Sequence, residues 1–164
     1  MSNSYKIAVL PGDGIGPEVT AESVKVLNVL AQAFQYKFEF EYAKMGAEAI
    51  FETGNPLPEE TLTVCKNADA VLFGAIGDPY FDNNPDAKVR PEQGLLKLRK
   101  ELGLFANIRP IKTYSSLTKK SPLKKEIVDG TDIQIYRELI SGIYFGEKFT
   151  DENGEYAYDI CKYN

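Results

Sequence analysis

Apolar and polar positions in the first 75 residues follow two periods, one typical of strands and the other of helices. Three apolar or alternating runs have the length and pattern of strands, and the segments among them repeat apolar residues at helical spacing. In chain order the predicted elements are a strand at 5–10, a helix at 15–34, a strand at 37–43, helices at 46–53 and 58–67, and a strand at 68–75. This order predicts an α/β fold with a parallel sheet and right-handed crossovers.

After Gly77 the pattern changes to a polar loop, one helix and several strand-like runs. Residues 104–114 and 131–139 are predicted strands, and Pro110 places the first of them at an edge or a strand end, because proline lacks the N–H of an inner ladder. The runs GIYFGEKF and EYAYDICKY, joined by TDENG, predict a long aromatic hairpin.

The composition argues against several classes of function. The 164 residues carry a net charge of −5 and are 43% hydrophobic and 26% charged, which is typical of a globular protein and disfavours nucleic acid or an anionic membrane as a partner. No apolar run approaches the ~18 residues of a membrane span. Cys65 and Cys161 lack metal or redox spacing. We therefore expect a cytoplasmic protein with reduced thiols.

The chain contains no histidine, and this restricts its chemistry. A Ser-His-Asp triad, a Cys-His pair and a histidine-bound zinc are all excluded, so acid–base chemistry falls to Asp, Glu, Lys or Tyr. The only arginines are Arg90, Arg99, Arg109 and Arg137. Because arginine binds carboxylates and phosphates with two parallel hydrogen bonds, their stretch of the chain is where the sequence predicts a bound anion.

The helix that follows the polar loop carries apolar and cationic side chains on one face. Glu92, Leu95, Leu96 and Arg99 fall at i, i+3, i+4 and i+7, so they share one stripe. This stripe suits a small molecule with a carboxylate at one end and a branched hydrocarbon at the other. Taken alone, the two leucines are as typical of a packed core.

A glycine-rich segment, PGDGIGPE at residues 11–18, joins the first predicted strand to the first helix. Such a turn brings backbone N–H groups to a helix N-terminus, where an anion can bind. Its G-x-G-x-G spacing is neither the G-x-G-x-x-G of the Rossmann fingerprint nor a P-loop. The sequence therefore predicts a sheet that is not a Rossmann fold, and a purely structural turn is an equal interpretation.

Three further residues are candidates for substrate chemistry, each with an ordinary alternative. Arg109 and Arg137 lie at or near predicted strand ends, where open α/β sheets bind ligands, although an isolated arginine more often forms a surface ion pair. Tyr144 is more often a core or interface aromatic than an acid. None of these residues alone indicates a function.

Four segments in this order and spacing carry a resemblance to a known family. AVLPGDGIGPEV, PEQGLLKLRKELGLFANIRP, SPLKKEI and RELISGIYFGE resemble the amino-terminal half of the isocitrate/isopropylmalate dehydrogenase family, in particular its isopropylmalate members. The resemblance implies that family's sheet with flanking helices, here incomplete. It also implies that residues 1–104 begin the cofactor-side domain and residues 105–164 begin the substrate and dimerisation domain, with a hairpin arm at 143–163.

The resemblance implies NAD-dependent oxidative decarboxylation of 3-isopropylmalate to 2-oxoisocaproate, a step of leucine biosynthesis. By that resemblance the substrate carboxylates would bind Arg99, Arg109 and Arg137, the isopropyl group would bind Leu95 and Leu96, Tyr144 would protonate the enol, and NAD would lie against Ile15, Gly74, Gly77 and Glu92. In isocitrate-type relatives the position of Leu95 is polar. The leucine therefore favours isopropylmalate over isocitrate or another 2-hydroxy diacid such as tartrate.

The same resemblance places several parts of the enzyme beyond Asn164. The ligands of Mg²⁺ or Mn²⁺, the catalytic lysine and the main adenosine loop would lie there, and the enzyme would be a homodimer. We therefore expect a fragment of a larger enzyme, inactive alone, with no metal ligand of its own. The alternative is a catalytically inert half-protein that self-associates or binds a partner through its hairpin arm.

Overall fold

The structure is a computed structural model that describes residues 3–163, and it divides into two compact units. The units are Met1–Leu102 and Gly103–Asn164. In the first unit the elements are β1 (Ser4–Gly12), α1 (Gly16–Phe34), β2 (Lys37–Tyr42), α2 (Ala47–Thr53), α3 (Glu59–Lys66), β3 (Ala70–Ala75), α4 (Pro79–Asp82) and α5 (Pro91–Glu101). The domain boundary expected from the family resemblance, after residue 104, lies two residues further along the chain than the boundary between these two units.

The first unit is built on a three-stranded parallel sheet in the order β2-β1-β3. In the central strand, Val9 lies opposite Tyr42 of β2 and Leu72 of β3. The chain runs from β1 to one neighbouring strand and then, through α2 and α3, to the other. The predicted α/β order is confirmed, and the strand order reverses beside β1, because β2 lies on one side of it and β3 on the other. Such a reversal is where open α/β sheets bind ligands.

Alternating side chains of β1 are buried on opposite faces of this sheet. Ala8 and Leu10 belong to a buried cluster with residues from the loops and helices that follow β2, together with one from α5: Met45, Leu57, Leu62, Cys65 and Leu98. Ile7 and Val9, at the intervening positions, are also buried. Helix α1 packs against β1 and β3. The sheet therefore has helices on both faces, as the sequence predicts.

Helix α5 is held against α3 and the preceding loop by specific contacts. Lys97 pairs with Glu59, and Lys66 pairs with Glu101, each at 2.8 Å. The hydrogen bond from Lys66 holds the pKa of the Glu101 carboxyl below its usual value. A Cβ at Gly94 would lie 2.6 Å from the Pro56 carbonyl oxygen, so only glycine permits this approach.

The second unit contains a two-stranded antiparallel ribbon and a short hairpin. Its elements are β4 (Ala106–Lys112), a 3₁₀ helix (Ser115–Lys120), α6 (Lys125–Val128), β5 (Asp132–Glu138), a 3₁₀ turn (Gly142–Tyr144), β6 (Lys148–Thr150) and β7 (Ala157–Asp159). In the ribbon, β4 pairs with β5, and Pro110 lies opposite Gln134. The proline is on a strand of a two-stranded sheet, as its missing N–H requires.

The predicted long hairpin is wrong in its extent. Only Lys148–Thr150 and Ala157–Asp159 form strands, and Gly142–Tyr144 is a 3₁₀ turn. Gly142 has a φ of +74°, and a Cβ at Gly146 would lie 1.5 Å from the Ile160 carbonyl oxygen. These two glycines bend the chain and bring it too close to the returning segment for a regular ladder.

Among residues 3–163, no helix is both long enough and apolar enough to span a membrane.

Candidate functional site

One buried carboxylate connects the loops at the carboxyl end of the parallel sheet. Asp13 follows β1 and is 5% exposed. The Ala47 N–H donates to Asp13 Oδ1 at 2.8 Å, and the Gly77 N–H donates to Asp13 Oδ2 at 3.0 Å. Ala47 begins α2, which follows β2, and Gly77 follows β3. One side chain therefore binds the loops after all three strands.

Glycines make this arrangement possible because the backbones approach too closely for a side chain. A Cβ at Gly12 would lie 1.9 Å from the Ala75 carbonyl oxygen, and one at Gly46 would lie 2.4 Å from Asp13 Oδ2. Both glycines have positive φ angles, +71° and +80°. The glycine-rich turn thus has a structural role beside any role in ligand binding.

Three of the residues predicted to face NAD lie at this edge. The Glu92 carboxylate approaches Gly77, since a Cβ on that glycine would lie 3.2 Å from Glu92 Oε1. Glu92 is exposed on the first turn of α5. Ile15 immediately precedes α1 and is 57% exposed, although it is a large apolar residue. These positions leave the glycine backbone, the carboxylate and the isoleucine open to a ligand.

Gly74, the fourth residue predicted on the NAD side, lies under α1. A Cβ there would be 2.2 Å from the Pro11 carbonyl oxygen and 2.5 Å from Thr20 Oγ1. The absence of a side chain at Gly74 therefore allows α1 to lie close to β3. Its contact with a cofactor stays a prediction.

The leucines predicted to contact the substrate are half-buried on α5. Leu98 is buried in the core, and Leu95 packs against the same buried cluster. Leu96 and Arg99 are also half-buried. The core therefore holds part of Leu95, and the side of α5 that carries Leu95, Leu96 and Arg99 keeps partial access to solvent.

Arg90, in contrast, has a structural role. Its guanidinium donates to the carbonyl oxygens of Phe81 at 2.8 Å and Asn84 at 3.2 Å, which closes the loop before α5. The side chain of Gln93 accepts a hydrogen bond from the Arg90 N–H at 3.2 Å and so caps the helix. We therefore do not assign Arg90 to substrate binding.

Two of the predicted substrate arginines share one face of the β4–β5 ribbon. Arg109 lies opposite Ile135, and Arg137 lies opposite Asn107, so all four side chains are on the same face. Arg109 Nε donates to Asn107 Oδ1 at 3.4 Å. Within residues 3–163 neither arginine forms an ion pair with a carboxylate. Two exposed guanidinium groups without an ion-pair partner thus lie on one face of adjacent strands, and their binding of an anion stays a prediction.

The placement of Arg109 near a strand end is wrong, since it is the fourth of the seven residues of β4. Every residue of the partner strand β5 is exposed. A mid-strand position therefore still presents the guanidinium to solvent. Arg137 is the sixth of the seven residues of β5, close to its end as predicted.

Tyr144 lies in direct contact with Arg137. Arg137 Nη2 donates to the Tyr144 hydroxyl oxygen at 3.1 Å, and the guanidinium carbon lies 5.5 Å from the centre of the ring. The 3₁₀ turn of Gly142–Tyr144 sets this position and is anchored by the Gly142 N–H, which donates to the Lys162 carbonyl at 2.8 Å. Among the described residues, no acceptor takes the hydroxyl hydrogen of Tyr144.

No metal centre is evident in the part of the chain that the structure describes. Within residues 3–163, no group of three or more His, Cys, Asp and Glu side chains is arranged to hold a metal ion.

Sequence analysis missed two residues of these sites, Asp13 and Asn107. Asp13 contacts residues 34 and 64 positions away, which no local pattern reveals. The position of Asn107 beside Arg109 was predictable, because residues i and i+2 of a strand share a face and Asn107 precedes Arg109 by two positions.

Residues 6–164 match the isocitrate/isopropylmalate dehydrogenase family. A 3-isopropylmalate dehydrogenase of Bacteroides fragilis is 58% identical over 159 residues, and that of Aquifex aeolicus is 52% identical over 162 residues. Each alignment covers 97% of this chain and 44% of the relative. The chain therefore spans less than half the length of these relatives.

Solved structures agree with this fold. The apo form of a β-decarboxylating dehydrogenase from Thermococcus kodakarensis superposes with a TM-score of 0.65 at 36% identity, over 98% of this chain and 41% of that one. Isocitrate dehydrogenase from Methylococcus capsulatus has the same fold, with a TM-score of 0.73 at 24% identity, over 98% of this chain and 43% of that one. The motifs, the parallel sheet and the match over residues 6–164 agree, and the chain belongs to the isocitrate/isopropylmalate dehydrogenase family.

Proposed function

We propose that this chain supplies substrate- and cofactor-binding residues to an enzyme that converts 3-isopropylmalate to 2-oxoisocaproate by NAD-dependent oxidative decarboxylation in leucine biosynthesis. The contact of Arg137 with Tyr144, beside Arg109 on the same ribbon face, is the observation that carries the proposal. In the proposed reaction the two guanidinium groups bind a substrate carboxylate, and the neighbouring phenol donates a proton. The names of the 52–58% identical relatives support the choice of substrate.

The two chemical ends of 3-isopropylmalate correspond to two kinds of side chain. Arg99, Arg109 and Arg137 would bind its carboxylates, because a guanidinium offers paired donors to a carboxylate. Leu95 and Leu96 would contact the isopropyl group. Isocitrate carries a third carboxylate in place of that group, and a leucine cannot donate a hydrogen bond to it. Leaving a charge desolvated and unpaired costs several kcal/mol, so these leucines favour the branched substrate.

Tyr144 would supply the proton that the reaction needs after carbon dioxide leaves. Loss of the β-carboxylate from the oxidised substrate produces an enol, and a carbon of that enol must be protonated. The Tyr144 oxygen already accepts a hydrogen bond from Arg137, so the hydroxyl hydrogen points elsewhere. Arg137 would thus hold a substrate carboxylate and orient the proton donor.

The carboxyl edge of the first unit offers the residues that would hold NAD. Ile15 and Glu92 are exposed there and Gly77 is half-buried, and the missing side chain of Gly77 leaves space before the Glu92 carboxylate. NAD would supply the hydride acceptor for oxidation of the hydroxyl group. Within residues 3–163 no ligand cluster for Mg²⁺ or Mn²⁺ occurs, and by the family resemblance the ligands of that metal would come from the part of the relatives that this chain does not match.

A chimera tests the proposed activity. Residues 6–164 would replace the matching part of the Bacteroides fragilis relative, which the chain matches at 58% identity. We expect the chimera to form NADH from 3-isopropylmalate with added Mg²⁺, and the 164-residue chain alone to form none with either Mg²⁺ or Mn²⁺. A folded chimera without turnover would contradict the proposal, and so would metal-dependent turnover by the pure 164-residue chain.

A second candidate function is association without catalysis. The described part of the chain exposes large apolar side chains on α1 and on the ribbon: Val26, Val29, Phe34, Ile108, Ile133 and Tyr136. Apolar surface of this extent is typical of protein interfaces. A homodimer paired through the hairpin arm, residues 143–163, would follow from the family resemblance. Sedimentation of the 164-residue chain tests self-association. A chain that sediments as a monomer contradicts self-association and does not affect the proposed catalytic role.

A further inference from the structure

We infer that Asp13 is a positioning residue: its carboxylate fixes the loop that presents Gly77 to Glu92. The inference rests on the proposed function only in treating this edge of the sheet as the NAD site. Asp13 is 5% exposed and accepts hydrogen bonds from two backbone N–H groups, and none of the residues assigned to substrate or cofactor includes it.

The backbone of Asp13 is itself held firmly. Its N–H donates to the Ala75 carbonyl at 2.8 Å, and its carbonyl accepts from the Gly16 N–H at 2.8 Å. These bonds tie the residue to the end of β3 and to the start of α1. The carboxylate is thus a fixed point from which the neighbouring loops are located.

From this point the two carboxylate oxygens reach separate loops. Oδ1 holds the Ala47 N–H at the start of α2, and Oδ2 holds the Gly77 N–H beyond β3. A Cβ at Gly46 would lie 2.4 Å from Oδ2 and 2.7 Å from Oδ1, so the carboxylate fills the space beside that glycine. A smaller side chain at position 13 would leave both N–H groups without this acceptor.

The Gly77 loop is the element through which Asp13 acts on the ligand site. The position of a Cβ on Gly77 lies 3.2 Å from Glu92 Oε1, so any displacement of Gly77 alters the space in front of the Glu92 carboxylate. Asp13 itself is buried and does not reach that space. Its effect on a bound dinucleotide is therefore exerted through Gly77.

The requirement is for a carboxylate rather than an amide. Both oxygens of Asp13 accept a backbone hydrogen. Asparagine has one oxygen and one NH₂ group, and the NH₂ would face a second donor. Asp13→Asn therefore loses one hydrogen bond and introduces a donor–donor contact, whereas Asp13→Ala loses both hydrogen bonds.

The test compares these variants in the 164-residue chain with a matched control. Asp69 also accepts a backbone hydrogen bond across the sheet, from the Lys6 N–H at 2.8 Å, but it lies at the amino end of the strands and is exposed. Amide hydrogen exchange by NMR would be measured for Gly77 and Ala47, with Val9 in the central strand as the internal reference. Titration with NADH would be run on the same samples at a temperature where each variant is folded.

We expect Asp13→Asn to accelerate exchange roughly tenfold relative to Val9 at whichever of Gly77 and Ala47 loses its acceptor, and Asp13→Ala to do so at both, with Asp69→Asn unchanged. The dissociation constant for NADH should rise in the same order. Unchanged exchange at Gly77 in a folded Asp13→Ala variant overturns the inference, and so does loosened exchange with an unaltered NADH affinity in a chain that binds NADH. If the parent chain itself binds no NADH, the exchange at Gly77 alone decides the role of Asp13, and turnover by the chimera alone decides the proposed function.

Discussion

Replacing Tyr144 by phenylalanine is expected to lower kcat of the chimera for 3-isopropylmalate by about 10²–10⁴-fold, with a smaller change in KM. The substitution removes the hydroxyl group but keeps the ring beside the Arg137 guanidinium, whose carbon lies 5.5 Å from the ring centre. The carboxylate site therefore persists while the proton donor is lost. Steady-state rates of NADH formation measure the effect, and direct assay of 2-oxoisocaproate shows whether oxidation and decarboxylation become uncoupled.

Tyr136→Phe is the matched control for this variant. Tyr136 is 70% exposed and belongs to the same strand as Arg137, but adjacent residues of a strand point to opposite faces. Its loss should leave kcat unchanged. If Tyr144→Phe retains more than half of the parent kcat, Tyr144 is not the proton donor.

Replacing Arg109 by lysine should lower kcat/KM for 3-isopropylmalate by roughly tenfold to a hundredfold. Lysine keeps the positive charge but cannot form two parallel hydrogen bonds with one carboxylate. The substitution also removes the bond from Arg109 Nε to Asn107 Oδ1. The loss should appear mainly as a higher KM when the carboxylate is bound equally well in the ground and transition states.

Lys112→Gln provides the comparison on the same strand. Lys112 lies on the opposite face of β4 and is 3.7 Å from Asp132, an exposed pair of little energetic weight. Its kcat/KM should stay within twofold of the parent value. An Arg109→Lys variant that matches this control would show that Arg109 does not bind substrate through paired hydrogen bonds.

The first unit was predictable from sequence to a large extent because its determinants are local. Residues 5–10 form a continuous apolar run, and residues 15–34 repeat apolar positions at helical spacing. The observed strand Ser4–Gly12 and helix Gly16–Phe34 agree with these two predictions. Pro17 in the first turn of the helix and the glycine-rich turn before it marked this boundary as well.

The length of the hairpin strands was overestimated because their limits depend on contacts that are distant in sequence. Residues 142–149 have strand-like composition, but Gly142 has a φ of +74° and Gly146 lies against the returning chain at Ile160. Composition alone does not reveal such a close approach. The resulting 3₁₀ turn brings Tyr144 to Arg137, seven residues earlier, so the failed strand prediction coincides with the site.

The role of Asp13, at the carboxyl end of the parallel strands, also could not be predicted from local sequence. Asp13 occupies a turn in which aspartate is ordinary, and its sequence neighbourhood explains nothing more than a turn. Its importance follows from contacts with Ala47 and Gly77, 34 and 64 positions later in the chain. Contacts of this range arise from the strand order β2-β1-β3, which the local periods do not specify.

The preference of the chimera between 3-isopropylmalate and isocitrate tests the central claim most directly. Leu95 and Leu96 lie half-buried on α5 together with Arg99, and they present no donor to a third carboxylate. The measurement is the ratio of kcat/KM for the two substrates at saturating NAD. We predict a ratio above about 10² in favour of 3-isopropylmalate, as expected when a charged group would meet an apolar surface without a partner. A ratio near one, or a preference for isocitrate, would contradict the assignment.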